Sequence, residues 1–91
     1  GPVSEIAGPT LAVDKAFTAV ANRIATSELA RLAAPGGELF GLHANAGGRF
    51  VIFGGGVPVT VDGIVVGGIG VSGASAAQDE ACAIAGLACL R

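Results

Sequence analysis

The chain has 91 residues, 52% hydrophobic and 13% charged, with a formal net charge of -2 and a pI near 5.0. That length accommodates one domain at most, and so apolar a composition excludes an intrinsically disordered chain. The five basic residues, Lys15, Arg23, Arg31, Arg49 and Arg91, are scattered singly; they form no basic stripe, so no nucleic-acid partner is expected.

Small side chains supply much of the apolar fraction: the chain has 16 Gly and only four Phe, with no Trp, Tyr or Met. Each buries little area, and a domain this short is already marginal. The core is therefore expected to be completed by another chain or by further sequence. The longest apolar stretch, Ile64 to Val71, is too short and glycine-rich to cross a bilayer, so no membrane partner is expected. No signal-peptide pattern opens the chain, and the expected compartment is the cytoplasm rather than the exterior.

In chain order, Gly1 to Gly8 read as a loop, with Gly1-Pro2 either a protease scar or native sequence. Pro9 and Thr10 open a helical pattern in which Leu11, Ala12, Ala16, Ala19, Val20 and Ile24 form an apolar face. Lys15, on the same helix, is expected to be solvated or snorkelling. Thr26 reads as the N-cap of a short second helix with Glu28 in its first turn, stopped by Pro35-Gly36-Gly37. Glu38 to Gly48 is irregular, with Leu39, Phe40 and Leu42 expected to be buried. Three strand signals follow: Arg49 to Phe53 (RFVIF), Val57 to Val61 (VPVTV), and Ile64 to about Ser72. Pro58 lacks an amide donor and marks an edge or a bulge. Asp62-Gly63 is a type I′ hairpin turn joining the last two strands. A final helix runs from about Ser75 to Leu90, with Ser75 and Gln78 as a capping box and Asp79 and Glu80 near the positive end of its dipole. Cys82 and Cys89 lie two turns apart on it, too far for a mutual disulfide; they are expected to be small buried residues.

Gly68-Ile69-Gly70-Val71-Ser72-Gly73 spells G-x-G-x-x-G. A dinucleotide fold also needs a parallel strand after the helix and an acid about twenty residues on. Within these 91 residues none follows, and the strand before the glycines is the return arm of a hairpin. Gly67, Gly68 and Gly70 are better read as places where something packs close to the backbone, with Gly73 turning into the helix. Gly54-Gly55-Gly56 precedes a strand rather than a helix, so it reads as a wide turn or bulge. The alternative is a backbone-lined pocket whose amides, with those at the start of the last helix, face an acidic group. His43, the only histidine, is a metal or haem ligand, a base, or simply an exposed residue. Ser72 does not stand in a nucleophile elbow. No catalytic constellation emerges from spacing.

The segments Phe53-Gly54-Gly55-Gly56-Val57-Pro58-Val59, Asp62-Gly63, Gly68-Ile69-Gly70-Val71-Ser72-Gly73 and Gln78-Asp79-Glu80, in that order, resemble the GlcG/HbpS family, which includes the C-terminal domain of PduO-type proteins. Asp14-Lys15-Ala16 and Gly41-Leu42-His43 resemble family segments too. The resemblance implies an α+β, profilin-like antiparallel sheet flanked by helices, of which this chain supplies about three strands and two to three helices. It implies haem or a related tetrapyrrole as a small-molecule ligand, and a higher oligomer. Family members usually carry a further helix and two strands before the segment matched here, and in some members the haem ligands are attributed to that portion. The chain is therefore expected to be the C-terminal portion of a single such domain, with the remainder supplied by a separate chain or a domain swap. The candidate cofactor-binding residues are His43, Gly54, Gly55, Gly56, Ser72, Gly73 and Asp79. An alternative is an enzyme acting on a small organic acid at a subunit interface, with Lys15, His43 and Glu80 as catalytic groups. A third reading is a structural subunit of a ring or shell.

Overall fold

A computed structural model describes the backbone of residues 2–90 and the side chains of residues 10–90; the reading of Gly1 as loop or scar lies outside them. Helix α1 (Pro2–Asn22) and helix α2 (Thr26–Leu32) come first, then two 3₁₀ turns at Leu42–Ala44 and Ala46–Gly48. Strands β1 (Gly56–Val61) and β2 (Ile64–Gly70) follow, then helix α3 (Ala76–Ala88). The fold is α+β: an antiparallel hairpin of β1 and β2 with helices packed on it. Asp62 (φ 50) and Gly63 (φ 79) adopt the left-handed backbone that the I′ turn requires. The pairing slips between Val59 and Thr60, leaving Val66 as the extra residue of a bulge.

Glycines position the layers. Gly56 pairs with Gly70 and Pro58 with Gly68, so these four share one face of the hairpin. Helix α1 lies on that face so closely that a side chain at Gly70 would strike the Ala12 carbonyl, and one at Gly68 would stand 2.7 Å from Val20 Cγ2. Gly67, by contrast, has open space around it. The opposite face carries Val57 and Ile69, and there α3 approaches, with Gly86 over Ile69. Among the described residues the buried apolar ones are Ala19, Leu29, Ala33, Val51, Val57 and Ala83. The first two glycines of the G-x-G-x-x-G signature, Gly68 and Gly70, thus belong to an antiparallel strand under a helix, as the hairpin reading expects.

Several expectations need correction. Helix α1 starts at Pro2, not Pro9; extending an established helix is far easier than starting one. The N-cap of α2 is Ala25, with no side-chain cap; Thr26 is buried and its hydroxyl instead accepts from Gly56 N at 3.0 Å. Among the described residues the sheet has two strands, not three. Arg49 to Phe53 forms no ladder because α1 side chains hold it: Val51 N donates to Thr18 Oγ1 at 2.9 Å, and Arg49 Nε donates to Asp14 Oδ1 at 3.0 Å. The Arg49 guanidinium also lies 4.0 Å from the Phe17 ring. Leu39 and Phe40 are exposed, carried on a chain of short turns that gives them nothing to pack on. Cys82 and Cys89 are exposed free thiols, because the side of α3 that meets the hairpin is the one bearing Asp79 and Ala83.

Candidate functional site

The site starts from a lysine that composition alone would leave in water. Lys15 is only 1% exposed, set by the period of α1 on the same side as Ala12 and Ala19. Its Nζ donates to Val71 O at 2.9 Å and to Asp79 Oδ2 at 3.1 Å, and lies 5.1 Å from the centre of the Phe53 ring. Asp79 Oδ1 accepts from Ala74 N at 3.0 Å. One ion pair thus ties α1 to the end of β2, to the following turn and to α3. Burial alone would push the Asp79 carboxyl up. The Lys15 hydrogen bond, the Ala74 amide, the lysine's charge and the Gly73 amide overcome it and hold the group below its ordinary value. Gly55 (φ 130) lies against this ammonium, where a side chain would meet Lys15 Nζ at 2.7 Å and the Val71 carbonyl.

On the other side of the Gly54-Gly55 backbone is an open depression of about 390 Å³, lined by Ser27 and Ala30 of α2, Phe53 and Gly54, and Ala76, Ala77 and Glu80 of α3. Its floor requires glycine: a side chain at Gly54 would stand 2.8 Å from Ala76 O and 3.4 Å from Glu80 Oε2. Phe53 is 43% exposed and forms a wall. Helix α3 begins with the expected capping box: Gln78 N donates to Ser75 Oγ at 3.2 Å and Ser75 N donates to Gln78 Oε1 at 3.1 Å.

The candidate residues separate into groups. Gly54 and Glu80 meet at the depression. Lys15, Gly55 and Asp79 form the buried node, with Gly73 contributing its amide. Gly56 opens β1 with its amide given to Thr26, and Ser72 is half-buried between β2 and α3. His43 is exposed on the first 3₁₀ turn and is not part of the lining. The candidate acid–base trio of Lys15, His43 and Glu80 does not converge, and Lys15 is buried and paired, not solvated. Of the amides expected to face an acidic ligand, Gly56 N is given to Thr26, and just before α3 the amides of Ala74 and Ser75 are given to Asp79 and Gln78. Phe53, Thr26, Ser27, Ala30, Ala76 and Ala77 went unread as site residues. The available signal was an aromatic residue directly before a glycine triplet, and small residues opening a capped helix.

The family described as "Haem degrading protein HbpS-like" matches residues 3–88. The chain belongs to the HbpS-like family. This HbpS-like chain is 45% identical over 78 residues to the corrinoid adenosyltransferase PduO of Salmonella typhimurium, covering 86% of this chain and 23% of the relative. It is 42% identical to a 15.0 kDa protein from the dhaT–dhaS intergenic region of Citrobacter freundii, covering 87% of this chain and 56% of that one. Among solved structures, the PduOC:Heme complex superposes with a TM-score of 0.81 at 46% identity, over 86% of this chain and 56% of that one. A double mutant of HbpS from Streptomyces reticuli superposes with a TM-score of 0.79 at 42% identity, over 90% and 53% respectively. The chain thus spans about half the length of these HbpS-like folds, and about a quarter of PduO.

Proposed function

We propose that this chain is a small-molecule-binding module that takes haem or a related tetrapyrrole in the depression between α2 and α3. The observation that carries the reading is the depression's lining: a partly exposed aromatic ring, a glycine floor and alanine walls, a surface suited to a flat apolar molecule. The heme complex of a relative 46% identical to this chain supports it.

The residues present fit the macrocycle. Phe53 offers a ring face, Ala30, Ala76 and Ala77 offer methyl groups, and Gly54 allows close approach. Among the described residues no imidazole or thiolate lines the depression, and the side chain there with metal-binding chemistry is the Glu80 carboxylate. Haem, when bound, supplies the chemistry of its iron; this chain's part is to hold the ring and exclude water from one face. The Lys15–Asp79 pair contributes by fixing the Gly54-Gly55 backbone against the start of α3. The reading also includes an oligomer, supported by the exposed apolar side chains of the hairpin, Val61, Ile64 and Val66.

Titration with haem and with metal-free protoporphyrin tests it. The expected results are a shifted Soret band for the first and changed fluorescence for the second. Ala77→Trp fills the depression from an exposed helix position and is expected to weaken both by at least about tenfold, the size of one lost favourable contact, with an unchanged unfolding midpoint. Free-haem spectra throughout the titration, or wild-type affinity in Ala77→Trp, would overturn the proposal.

A further inference from the structure

Among the described residues the depression has one ionisable side chain in its lining, Glu80. Its Oε2 lies beside the Gly54 floor, 3.4 Å from where a side chain on that glycine would begin, and the residue is half-buried. The neighbouring charges cancel. Asp79 is paired with Lys15 at 3.1 Å, both buried. On α2, Glu28 is paired with Arg31 on the surface. At the start of α3, Gln78 N goes to Ser75 Oγ, Asp79 N to Ser75 O, and Ala74 N to Asp79. The ionisable side chain facing the depression is thus a carboxylate against an apolar wall, where water screens it less than on an open surface.

Building on the binding reading above, we infer that Glu80 sets which tetrapyrroles enter and which way round. The ring goes in by an edge free of carboxylates, and its acid groups are held out toward solvent. A ring with acid groups on one side can satisfy this by orientation. A ring with acid groups on all four sides must bring one toward Glu80 and is rejected. Specificity then comes from a repulsive element as much as from the aromatic wall.

The test uses the full chain and two metal-free rings, which keeps iron ligation out of the comparison: protoporphyrin IX, with carboxylates on one side, and coproporphyrin I, with one on every pyrrole and on every edge of the ring. Affinities are read by fluorescence at low and high salt. Wild type is expected to prefer the dicarboxylate by at least about tenfold, the scale of one close like-charge contact. Glu80→Gln, nearly the same shape without the charge, is expected to close most of that gap by tightening the tetracarboxylate while leaving the dicarboxylate within about twofold. High salt is expected to narrow the wild-type gap and leave the variant unmoved. Equal binding of the two rings by wild type, or an equal effect of Glu80→Gln on both, would overturn the orienting role while the binding reading stands. Absence of binding by either ring to wild type overturns both.

Discussion

The Lys15 ammonium and the Asp79 carboxylate are separated by 64 positions and meet at 3.1 Å out of water. Removing one partner from such a pair leaves a buried charge without compensation, at a cost of roughly 3–5 kcal/mol, a large share of a stability that for a small domain is only about 5–15 kcal/mol. Lys15→Met is therefore expected to lower the urea midpoint severely. Adding Asp79→Asn is expected to recover part of the loss, since the amide oxygen can still accept from Ala74 N. If the double variant were no more stable than Lys15→Met alone, the pair would not be the unit that matters. Acid gives a second reading of the same contact. The Asp79 carboxyl is held below its ordinary value, so its stabilisation is complete above an unfolded-state pKa of about 3.9. It is lost as the pH falls through the lower native value. Stability measured from neutral pH downward is expected to fall more steeply in wild type than in Asp79→Asn. The sequence held half of this: the period of α1 puts Lys15 on the apolar side, but a lysine amid alanines reads as snorkelling until its distant carboxylate is seen. His43 shows the converse, since its chemistry made it a candidate and its place on a surface turn does not bring it to the site.

Among the elements, the hairpin was the most legible because its signal is local: Asp62-Gly63 dictates the turn and the flanking β-branched residues dictate the strands. The glycines of β2 were legible as close-packing positions at Gly68 and Gly70, though not at Gly67, and this difference makes a test. Gly70→Ala places a methyl group against the Ala12 carbonyl of α1, and overpacking of that kind costs about 1–3 kcal/mol. Gly67→Ala enters open space on a strand where alanine is favoured over glycine by about 0.5–1 kcal/mol. Chemical denaturation is expected to show the first variant destabilised and the second unchanged or stabilised; equal effects would mean that α1 does not approach as closely as described. The Arg49–Phe53 segment was misread for a physical reason: β propensity reports fit to a pleated surface, and here the available bonds come from Thr18 and Asp14 rather than from a neighbouring strand. Thr26 was misread likewise, because a threonine before a helix looks like a cap whatever its hydroxyl reaches. The depression could not be read from any one element, since α2, the Phe53-Gly54 segment and α3 come together only in the fold.

For the whole molecule, the composition leads to the expectation of a small core, and in the structure the core is built largely of small side chains. Among the described residues, half of the buried apolar ones are alanines, Ala19, Ala33 and Ala83, while larger ones such as Phe40, Ile64, Val66, Ile84 and Leu90 are exposed. The accessible surface is 5372 Å², against about 4,700 Å² for a compact monomer of this mass. Among the described residues β1 and β2 pair only with each other, so each presents an unpaired edge, and an exposed apolar edge is a template for further pairing. Sedimentation velocity on the 8.7 kDa chain is expected to give species larger than the monomer, growing with concentration and with sulfate, which strengthens apolar burial. Ile64→Lys puts a charge beside the hairpin turn, where the side chain is already in water, so the fold is expected to persist by circular dichroism while association weakens. A wild-type chain that stays monomeric at every concentration would show that the exposed apolar face is tolerated alone. Association untouched by Ile64→Lys would place the contact away from the hairpin, on the outer side of α3 or around Phe40.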